Sequence, residues 1–525
     1  MSNVNSKYYG ENGIHRVPLW RICGFACNNL ATNMYMFLMM YVSYYLVGIV
    51  GVVVVIATSF STMMRIWDGV TDPFVGLLVD KTDGKFGKNR PFMVIGNAIL
   101  AISSFVLFYC TDLIGETKLI SIEVDGITYM VQDPNAPASA IRFVFFVVIS
   151  AIYYVGYTCQ CVVTKSAQTC VTNDPKQRPM FSVFDGVFVI IGYIGVGSIL
   201  IPSLGEKYGS FYAAGLFKEL WIYVAIASAL LTAFAVISIA PKDRTEFYGV
   251  GGEPQKIGLK EYWDTLKNNR AVQMLIVSAS TDKLATSTRT STVSLVLYGV
   301  VTFGGVAGNK LVSSSFGVLS LLGAIVSAVA IATLATRFGQ RKAMLIGSWG
   351  GIVINALLAA LWLFGDATSL LTTDAEGNLK FVWGAFAITH AVLSLILSGF
   401  QGISGNIVIP MTADCADYEV YRTGKYVPGL IGTLFSFVDK LISSAAPMIA
   451  GLAYAAIGYS QVLPSAESAY SPALHYVSIF LMYGMVIIGL ICNIIALKFY
   501  PLTKEKMEEI QDEIAAIKAK AVAGN

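Results

Sequence analysis

The sequence predicts an all-α polytopic membrane protein with twelve transmembrane helices in two six-helix halves. Three observations predict it. Of the 525 residues, 55% are hydrophobic and 13% are charged, about half the charged share of a soluble domain. Apolar segments of about 20 residues recur along the whole chain, each long enough to cross a hydrocarbon layer about 30 Å thick. Lys and Arg gather in alternate loops, as they do when one set of loops stays in the cytoplasm. The net charge of +3 says little, because the signs are sorted by place.

Spans are expected near 18–46, 52–79, 91–113, 141–169, 181–202 and 219–240, then near 271–302, 311–336, 343–365, 381–411, 430–458 and 473–499. The polar start "MSNVNSKYYGENG" lacks a cleavable signal pattern, so the first helix is expected to begin insertion. One set of loops holds Arg16, Lys81, Lys85, Lys88, Arg90, Arg178, Lys242, Arg244, Arg337, Arg341, Lys342 and Arg422. That places both termini in the cytoplasm and the chain in the cell (inner) membrane. The longest opposite loop, 115–140, is expected to fold into a small hairpin outside.

The polar stretch 241–270 divides an amino-terminal half, 1–240, from a carboxy-terminal half, 271–500. Residues 501–525 combine helical spacing with mixed charge and read as a solvated cytoplasmic tail helix. "KFGKNRPFMVIG" (Lys85–Gly96) and "RFGQRKAMLIG" (Arg337–Gly347) stand at equivalent places in the two halves. Both are short basic turns with Phe-Gly, which points to an internal duplication. Lys85, Lys88, Arg90, Arg337 and Arg341 are expected either to latch the halves at the cytoplasmic gate or simply to hold the topology.

Eight scattered cysteines and three dispersed histidines show no metal or redox spacing. No nucleophile–base pair, nucleotide loop or nucleic-acid signature is visible. The reading is therefore of a non-enzyme without a cofactor, whose partners are the bilayer, a small molecule and an ion.

The chemistry lies in charges within the spans, each of which costs several kcal/mol unless it faces a cavity or a partner. In "MMRIWDGVTDPFVG" (Met63–Gly76), Arg65, Asp68 and Asp72 recur at i, i+3 and i+7 and share one helical stripe. Two carboxylates about 6 Å apart either bind a cation or raise a pKa until one stays protonated. Lys440, in "SFVDKLISS", is the expected mobile counter-charge. In "SASTDKLATSTRTST" (Ser278–Thr292), Asp282 and Arg289 are seven apart and share a face. Lys165 and Asp185 add charge to the fourth and fifth spans. A cavity-facing Lys165, Lys283 or Arg289 would attract an anionic group on a substrate, whereas Lys165 and Lys283 also have the length to snorkel to an interface. Tyr35, Tyr41, Tyr44, Tyr45, Tyr153, Tyr154 and Tyr157 cluster on the first and fourth spans, mainly as packing and interfacial residues.

Taken with "RIWDGVTDP" (Arg65–Pro73), "GKFGKNRPFMVIG" (Gly84–Gly96), "DCADYEVYRTGKYVPG" (Asp414–Gly429) and Lys440, the chain resembles the glycoside–pentoside–hexuronide:cation symporter family. The resemblance extends over nearly all twelve expected helices. It implies a major facilitator fold and sugar transport driven by Na+ or H+ entry. It implies that Asp68 and Asp72 hold the cation, with Thr158 of "GYTCQC" at a threonine of the family's sodium site. Thr71 stands where the melibiose carrier of that family has an asparagine ligand. Lys440 matches a lysine beside the cation site, and Arg65 completes the charge set. Where that carrier grips its galactosyl group with aspartates, this chain has Asn28 and Cys161. Its tryptophan and arginine fall at Lys165 and at Gly186, beside Asp185. The galactoside grip is therefore absent. The expected substrate residues are Asn28, Cys161, Lys165, Asp185, Asp282 and Arg289. They favour a sugar glycoside, acidic (a glycuronide) or neutral. The alternative is an uncoupled uniporter or a transporter-like sensor.

Overall fold

The computed structural model describes residues 16–82, 84–172, 177, 179–244, 266–423, 438, 440–510 and 512–513. It divides into two compact units, Met1–Pro254 with Gly458–Ser465, and Gln255–Ile457 with Ala466–Asn525. Among the described residues, nine helices are long and apolar enough to cross a membrane. Two of the expected spans outside that set, α2 (Val54–Lys81) and α7 (Arg270–Ser287), are the helices that carry charge. The third, 430–458, lies partly outside the described residues.

In the first unit α1 runs Leu19–Val50, followed by α2, then α3 (Arg90–Cys110) and α4 (Pro137–Ser166). The last two are α5 (Pro179–Gly192), which continues through a π-helical stretch to Tyr208, and α6 (Ala214–Ile239). Glycines set how closely α3 and α4 approach. A Cβ on Gly96 would lie 3.0 Å from the Gly156 carbonyl oxygen, and one on Gly156 would lie 2.9 Å from that of Gly96. The expected hairpin is present, with β1 (Leu119–Val124) antiparallel to β2 (Ile127–Gln132). Asp125 and Gly126 form its turn at φ 51° and 78°, the left-handed pair that a tight hairpin turn requires.

The second unit has α7, a short apolar helix at Ser291–Val300, α8 (Gly305–Phe338), α9 (Gln340–Phe364) and α10 (Ala385–Thr423). It ends with α11 (Ala446–Ala455) and α12 (Pro472–Phe499). A further hairpin, β3 (Leu371–Thr373) with β4 (Leu379–Phe381), was not expected. The Asp374 carboxylate orders its turn by accepting from the backbone N–H of Glu376 (3.0 Å) and Asn378 (2.8 Å). The opening helical run of each unit closes on a five-residue π turn, Leu46–Val50 in one and Val296–Val300 in the other. Each turn carries a glycine with no space for a side chain: Gly48 against Tyr212, and Gly299 against Ala466.

The two basic turns are tied down within their own units. The first N–H groups of α3 have no intrahelical partner. The buried Asp243 carboxylate, just past α6, accepts from Asn89 N (3.1 Å), Asn89 Nδ2 (2.8 Å) and Arg90 N (2.9 Å). Arg90 Nε lies 3.4 Å from the same carboxylate. Gly87, at φ 77°, sits so close that a Cβ there would meet the Asp243 carbonyl oxygen at 2.3 Å. In the second unit the polarity is reversed. Arg341, in the first turn of α9, donates to the last carbonyls of α12, Nε to Leu497 O (3.0 Å) and Nη2 to Lys498 O (3.3 Å). Lys85 and Arg337 are exposed and Lys88 is half-buried.

The tail departs from the solvated helix expected of it. Ile510 is fully buried and Leu502 nearly so, and both join a core with Met411, Cys415, Leu497 and Tyr500. Met507 and Ile510, three apart, supply one apolar stripe on an otherwise charged segment. Residues 514–525, and 245–265 of the middle stretch, lie outside the described residues.

α10 has 39 residues, about twice the length a hydrocarbon layer requires, so its last turns extend past any span. There Asp414 faces a cavity of about 410 Å³ together with Arg341, Lys504, Glu508 and Asp512. Burial, reinforced by Asp417, pushes its carboxyl up from 3.8 to about 6.

Replacing Asp243 with Ala would remove the acceptor of three donors, of which Asn89 Nδ2 keeps a contact to Cys170 Sγ (3.8 Å). It is expected to cost about 3 kcal/mol, read as a lower unfolding midpoint in detergent. Asp414 holds a proton in the folded state between about pH 4 and 6 that the unfolded chain releases, so stability falls as pH rises through that window. Asp414→Asn is therefore expected to raise stability by about 1 kcal/mol above pH 6, discounted for partial exposure, and to change little near pH 4. Thermal unfolding at the two pH values checks it.

Candidate cation and substrate site

Asp68 lies in the middle of α2 and is completely buried. Its Oδ1 accepts from Thr158 Oγ1 of α4 at 2.9 Å. Thr158 Oγ1 also lies 3.0 Å from Tyr154 O and 3.2 Å from Thr71 Oγ1, and Thr71 Oγ1 donates to Asp68 O at 3.1 Å. Two hydroxyl hydrogens thus face one carboxylate oxygen and two carbonyls. Carboxylate, hydroxyl and carbonyl oxygens gathered in this way are the ligand type that a hard cation takes. Arg65 Nη1 stands 3.7 Å from Asp68 Oδ2, its guanidinium 5.8 Å from the Tyr157 ring centre. Asp72 is one turn further along α2, half-buried, and the helix continues unbroken through Pro73.

The structure therefore brings Arg65, Asp68, Thr71 and Thr158 together, on a helix pair whose approach their own contacts define. Lys440 belongs to the second unit, just ahead of α11, and its carbonyl accepts from Ser443 Oγ (3.3 Å) and Ser444 N (3.1 Å). Asp439 lies outside the described residues.

The expected substrate residues are dispersed. Asn28 is fully buried between α1 and α4, where Nδ2 donates to Thr164 Oγ1 (2.8 Å) and Gln160 O (3.3 Å) and Oδ1 has no hydrogen-bond partner. Cys161 is half-buried one turn from Tyr157. Lys165 is in α4, with its side chain outside the described set. Asp185 of α5 is half-buried and hydrogen-bonded to Asn29 of α1, with its Oδ1 unmet.

In the second unit Asp282 is buried in α7, and Arg289 lies where α7 breaks before Ser291. Arg289 donates Nε to Met482 O (2.7 Å), Nη1 to Gln401 Oε1 (3.3 Å) and Nη2 to Asn355 Oδ1 (2.6 Å). Its guanidinium also faces the Tyr483 ring at 5.8 Å. These hydrogen-bond partners are neutral, and the buried Asp282 carboxylate on the same helix acts on the guanidinium as the opposite charge.

Residues 24–504 match the profile of the family described as MFS/sugar transport protein. The chain belongs to that family. Among similar proteins is the "Glucuronide carrier protein homolog" of Escherichia coli (strain K12), 24% identical over 94% of this chain and 95% of its own length. The "Isoprimeverose transporter" of Lactiplantibacillus pentosus is 22% identical over 94% and 90%. A "Putative glycoside/cation symporter" of E. coli is 22% identical over 93% and 92%. The resemblance to glycoside–pentoside–hexuronide:cation symporters therefore holds. The crystal structure of the nucleoside transporter NupG shares the fold, with a TM-score of 0.55 and 11% identity over 93% of this chain and all of that one. A proton dependent oligopeptide transporter does so at 0.56 and 12%, over 94% and 99%. The chain is accordingly a multi-pass membrane protein of a transporter family.

Sequence reading missed Gln160, Asn355 and Gln401, which hold the site's surroundings in place. Gln160 is fully buried, accepting from Thr32 Oγ1 (2.5 Å) and donating to Met93 O (3.2 Å). The available signal was a lone amide inside an apolar span, which membrane helices carry when the amide binds a neighbouring helix.

Thr158→Val would strip Asp68 Oδ1 of its donor, while Thr158→Ser keeps it. Val is expected to destabilise by about 1–3 kcal/mol and Ser by less than half of that, compared by thermal unfolding in the same detergent.

Proposed function

We propose that the protein is a secondary active symporter that couples inward Na+ or H+ movement to uptake of a sugar glycoside by alternating access. In this reading twelve helices form two six-helix halves of a cell-membrane carrier, with both termini cytoplasmic. The observation that carries it is the Asp68–Thr71–Thr158 cluster, a buried carboxylate with two hydroxyls where α2 and α4 meet.

The proposed sequence of events follows from charge. A cation entering between Asp68 and Asp72 neutralises them, which lowers the cost of keeping that carboxylate away from water. Thr158 and Thr71 then turn their oxygens to the ion. Arg65 and Lys440 are the cations against which it competes. Coupling requires the ion to bind the sugar-loaded carrier more tightly than the empty one, and the sugar reciprocally. Relatives named as a glucuronide carrier homolog and a glycoside/cation symporter support a glycoside substrate. That glucuronide carrier homolog, together with Arg289 as a cation hydrogen-bonded to neutral acceptors, supports including acidic sugars such as glycuronides.

Accumulation of a labelled glycoside panel in right-side-out vesicles, with and without a Na+ or H+ gradient, tests this. Asp68→Asn and Asp72→Asn are expected to abolish accumulation, more than tenfold, while downhill exchange survives. Undiminished gradient-driven accumulation in both variants would falsify coupling through this pair, and gradient-independent uptake by the parent would make the protein a uniporter.

A further inference from the structure

Three helix ends of the first unit meet where α3 leads into the β1–β2 hairpin: the last turn of α3, the end of the α5 extension at Tyr208, and the second turn of α6. Between them lies a cavity of about 500 Å³, lined by Tyr109, Tyr208, Lys218, Glu219, Ile222 and Tyr223, among others. No residue of the cation and substrate reading lines it. Its shape is built into α6, where Gly215, Glu219 and Tyr223 recur every four residues on one stripe. A Cβ on Gly215 would stand 2.4 Å from Cε1 of Tyr208, so that ring lies against bare backbone. Tyr208 Oη then donates to Glu219 Oε2 (2.8 Å), and Tyr223 Oη to Oε1 (3.3 Å). Lys207 Nζ bonds the same carboxylate at 2.6 and 2.8 Å. Lys218 Nζ lies 2.6 Å from Asp112 Oδ2, and the Lys218 carbonyl accepts from Tyr109 Oη at 2.9 Å. Both ammonium groups stand near tyrosine rings, Lys207 at 5.5 Å from the centre of Tyr208 and Lys218 at 5.7 Å from that of Tyr109.

The charges at this place sum to zero, Lys207 and Lys218 against Asp112 and Glu219. Such a site has no surplus to hold a bare anion, and it takes a phosphate only together with a cation. Each ammonium carries three donors and faces one carboxylate, so donors remain for phosphate oxygens. The Glu219 carboxylate already accepts from an ammonium, and tyrosine faces attract such a group. Along α6 the polar cavity gives way to an apolar row. Lys218 heads a run at four-residue spacing, Ile222, Ile226 and Leu230, which are 43%, 58% and 68% exposed. In a multi-pass protein an exposed row of this kind meets acyl chains, with tyrosines at the level of the headgroups. A charge-neutral polar cavity at the head of a lipid-facing row has the layout of a phospholipid.

We propose that this cavity binds one phospholipid with a zwitterionic headgroup that ends in a primary ammonium. Its phosphate takes the spare donors of Lys218 and Lys207, its ammonium sits beside Glu219 against the tyrosine rings, and a chain lies along Ile222, Ile226 and Leu230. A quaternary ammonium has no N–H for Glu219, and an anionic headgroup brings a charge that nothing here balances. The bound lipid ties the ends of α3, α5 and α6 together, so it stabilises the first unit whether or not the carrier couples an ion.

The full chain, delipidated in detergent, is titrated with phosphatidylethanolamine, phosphatidylcholine or phosphatidylglycerol. Native mass spectrometry counts the lipid retained, and the unfolding midpoint reports its linkage to stability. One phosphatidylethanolamine is expected to bind about tenfold more tightly than either other lipid and to raise the midpoint. Glu219→Gln leaves the site one positive charge in excess, and it is expected to reverse the preference in favour of phosphatidylglycerol. A merely structural role for Glu219 would lower the midpoint without that reversal. Ile222→Ser, at the exposed lip, is expected to weaken phosphatidylethanolamine about fivefold and keeps the test open should Glu219→Gln fail to fold. Soluble glycerophosphoethanolamine and inorganic phosphate, which lack acyl chains, are expected not to displace the lipid. Equal retention of the three lipids, an unchanged preference in Glu219→Gln, undiminished binding in Ile222→Ser, or displacement by either soluble phosphate overturns the proposal.

Discussion

A carboxylate shut off from water must be answered by groups that cannot move away, and Asp68 imposes that condition on the first unit. Its Oδ1 takes a hydrogen bond from Thr158 on α4, so α2 and α4 must meet at that height. The same helix α4 must pass close to α3, which is possible because Gly96 and Gly156 leave no side chains between them. Two residues beyond Thr158, Gln160 ties α4 to Thr32 of α1 and to the Met93 carbonyl of α3. One helix therefore carries the partner of the buried acid and the polar pins for both of its other neighbours. A change in the charge state of Asp68 acts on a packed assembly with discrete arrangements, the condition under which a small local event is converted into movement of whole elements.

The hydrogen bonds of the buried arginines go to neutral oxygens. Arg142 is 1% exposed and gives its donors to the carbonyls of Ile49 (2.9 Å) and Ile114 (2.9 Å), among others, fastening the end of α1 to the loop after α3. Arg289 is met by one carbonyl and two amide oxygens. A guanidinium can be satisfied in this way because its five donors spread over several dipoles. Hydrogen-bond satisfaction and charge neutralisation are separate conditions. Arg142 is enclosed by backbone and meets the first as a fastener. Arg289, at a break in α7, meets the first through neutral oxygens and has the Asp282 carboxylate of the same helix as its opposite charge.

The spans were legible because their signal is length and hydropathy, and both survive without knowledge of contacts. The Arg65–Asp68–Asp72 stripe was legible because its members are at most seven residues apart and helical geometry alone brings them to one face. Thr158 was not legible from spacing: it is 90 residues from Asp68, and a threonine in a span has no distinctive pattern, so only the family resemblance pointed to it. The Arg289 network escaped for the same reason, with partners 66 and 112 residues away. The tail misled because its charges hide the two apolar residues that dock, Met507 and Ile510. Segment 458–465 reads as an ordinary connection, since nothing in eight mixed residues says that Tyr459, Val462 and Leu463 are buried.

The duplicated turns show how the two units solved one problem with opposite charges. In each, the third helix starts beside the end of the sixth, and both helix ends have backbone groups without intrahelical partners. In the first unit an acid after the sixth helix, Asp243, collects the donors of the third. In the second a cation at the start of the third helix, Arg341, supplies the acceptors of the sixth. Both choices complement the partial charge of the helix end they touch. The basic residues of these turns are consequently not equivalent. Arg90 and Arg341 are committed to holding their own units together, whereas Lys85 and Arg337 remain at the surface.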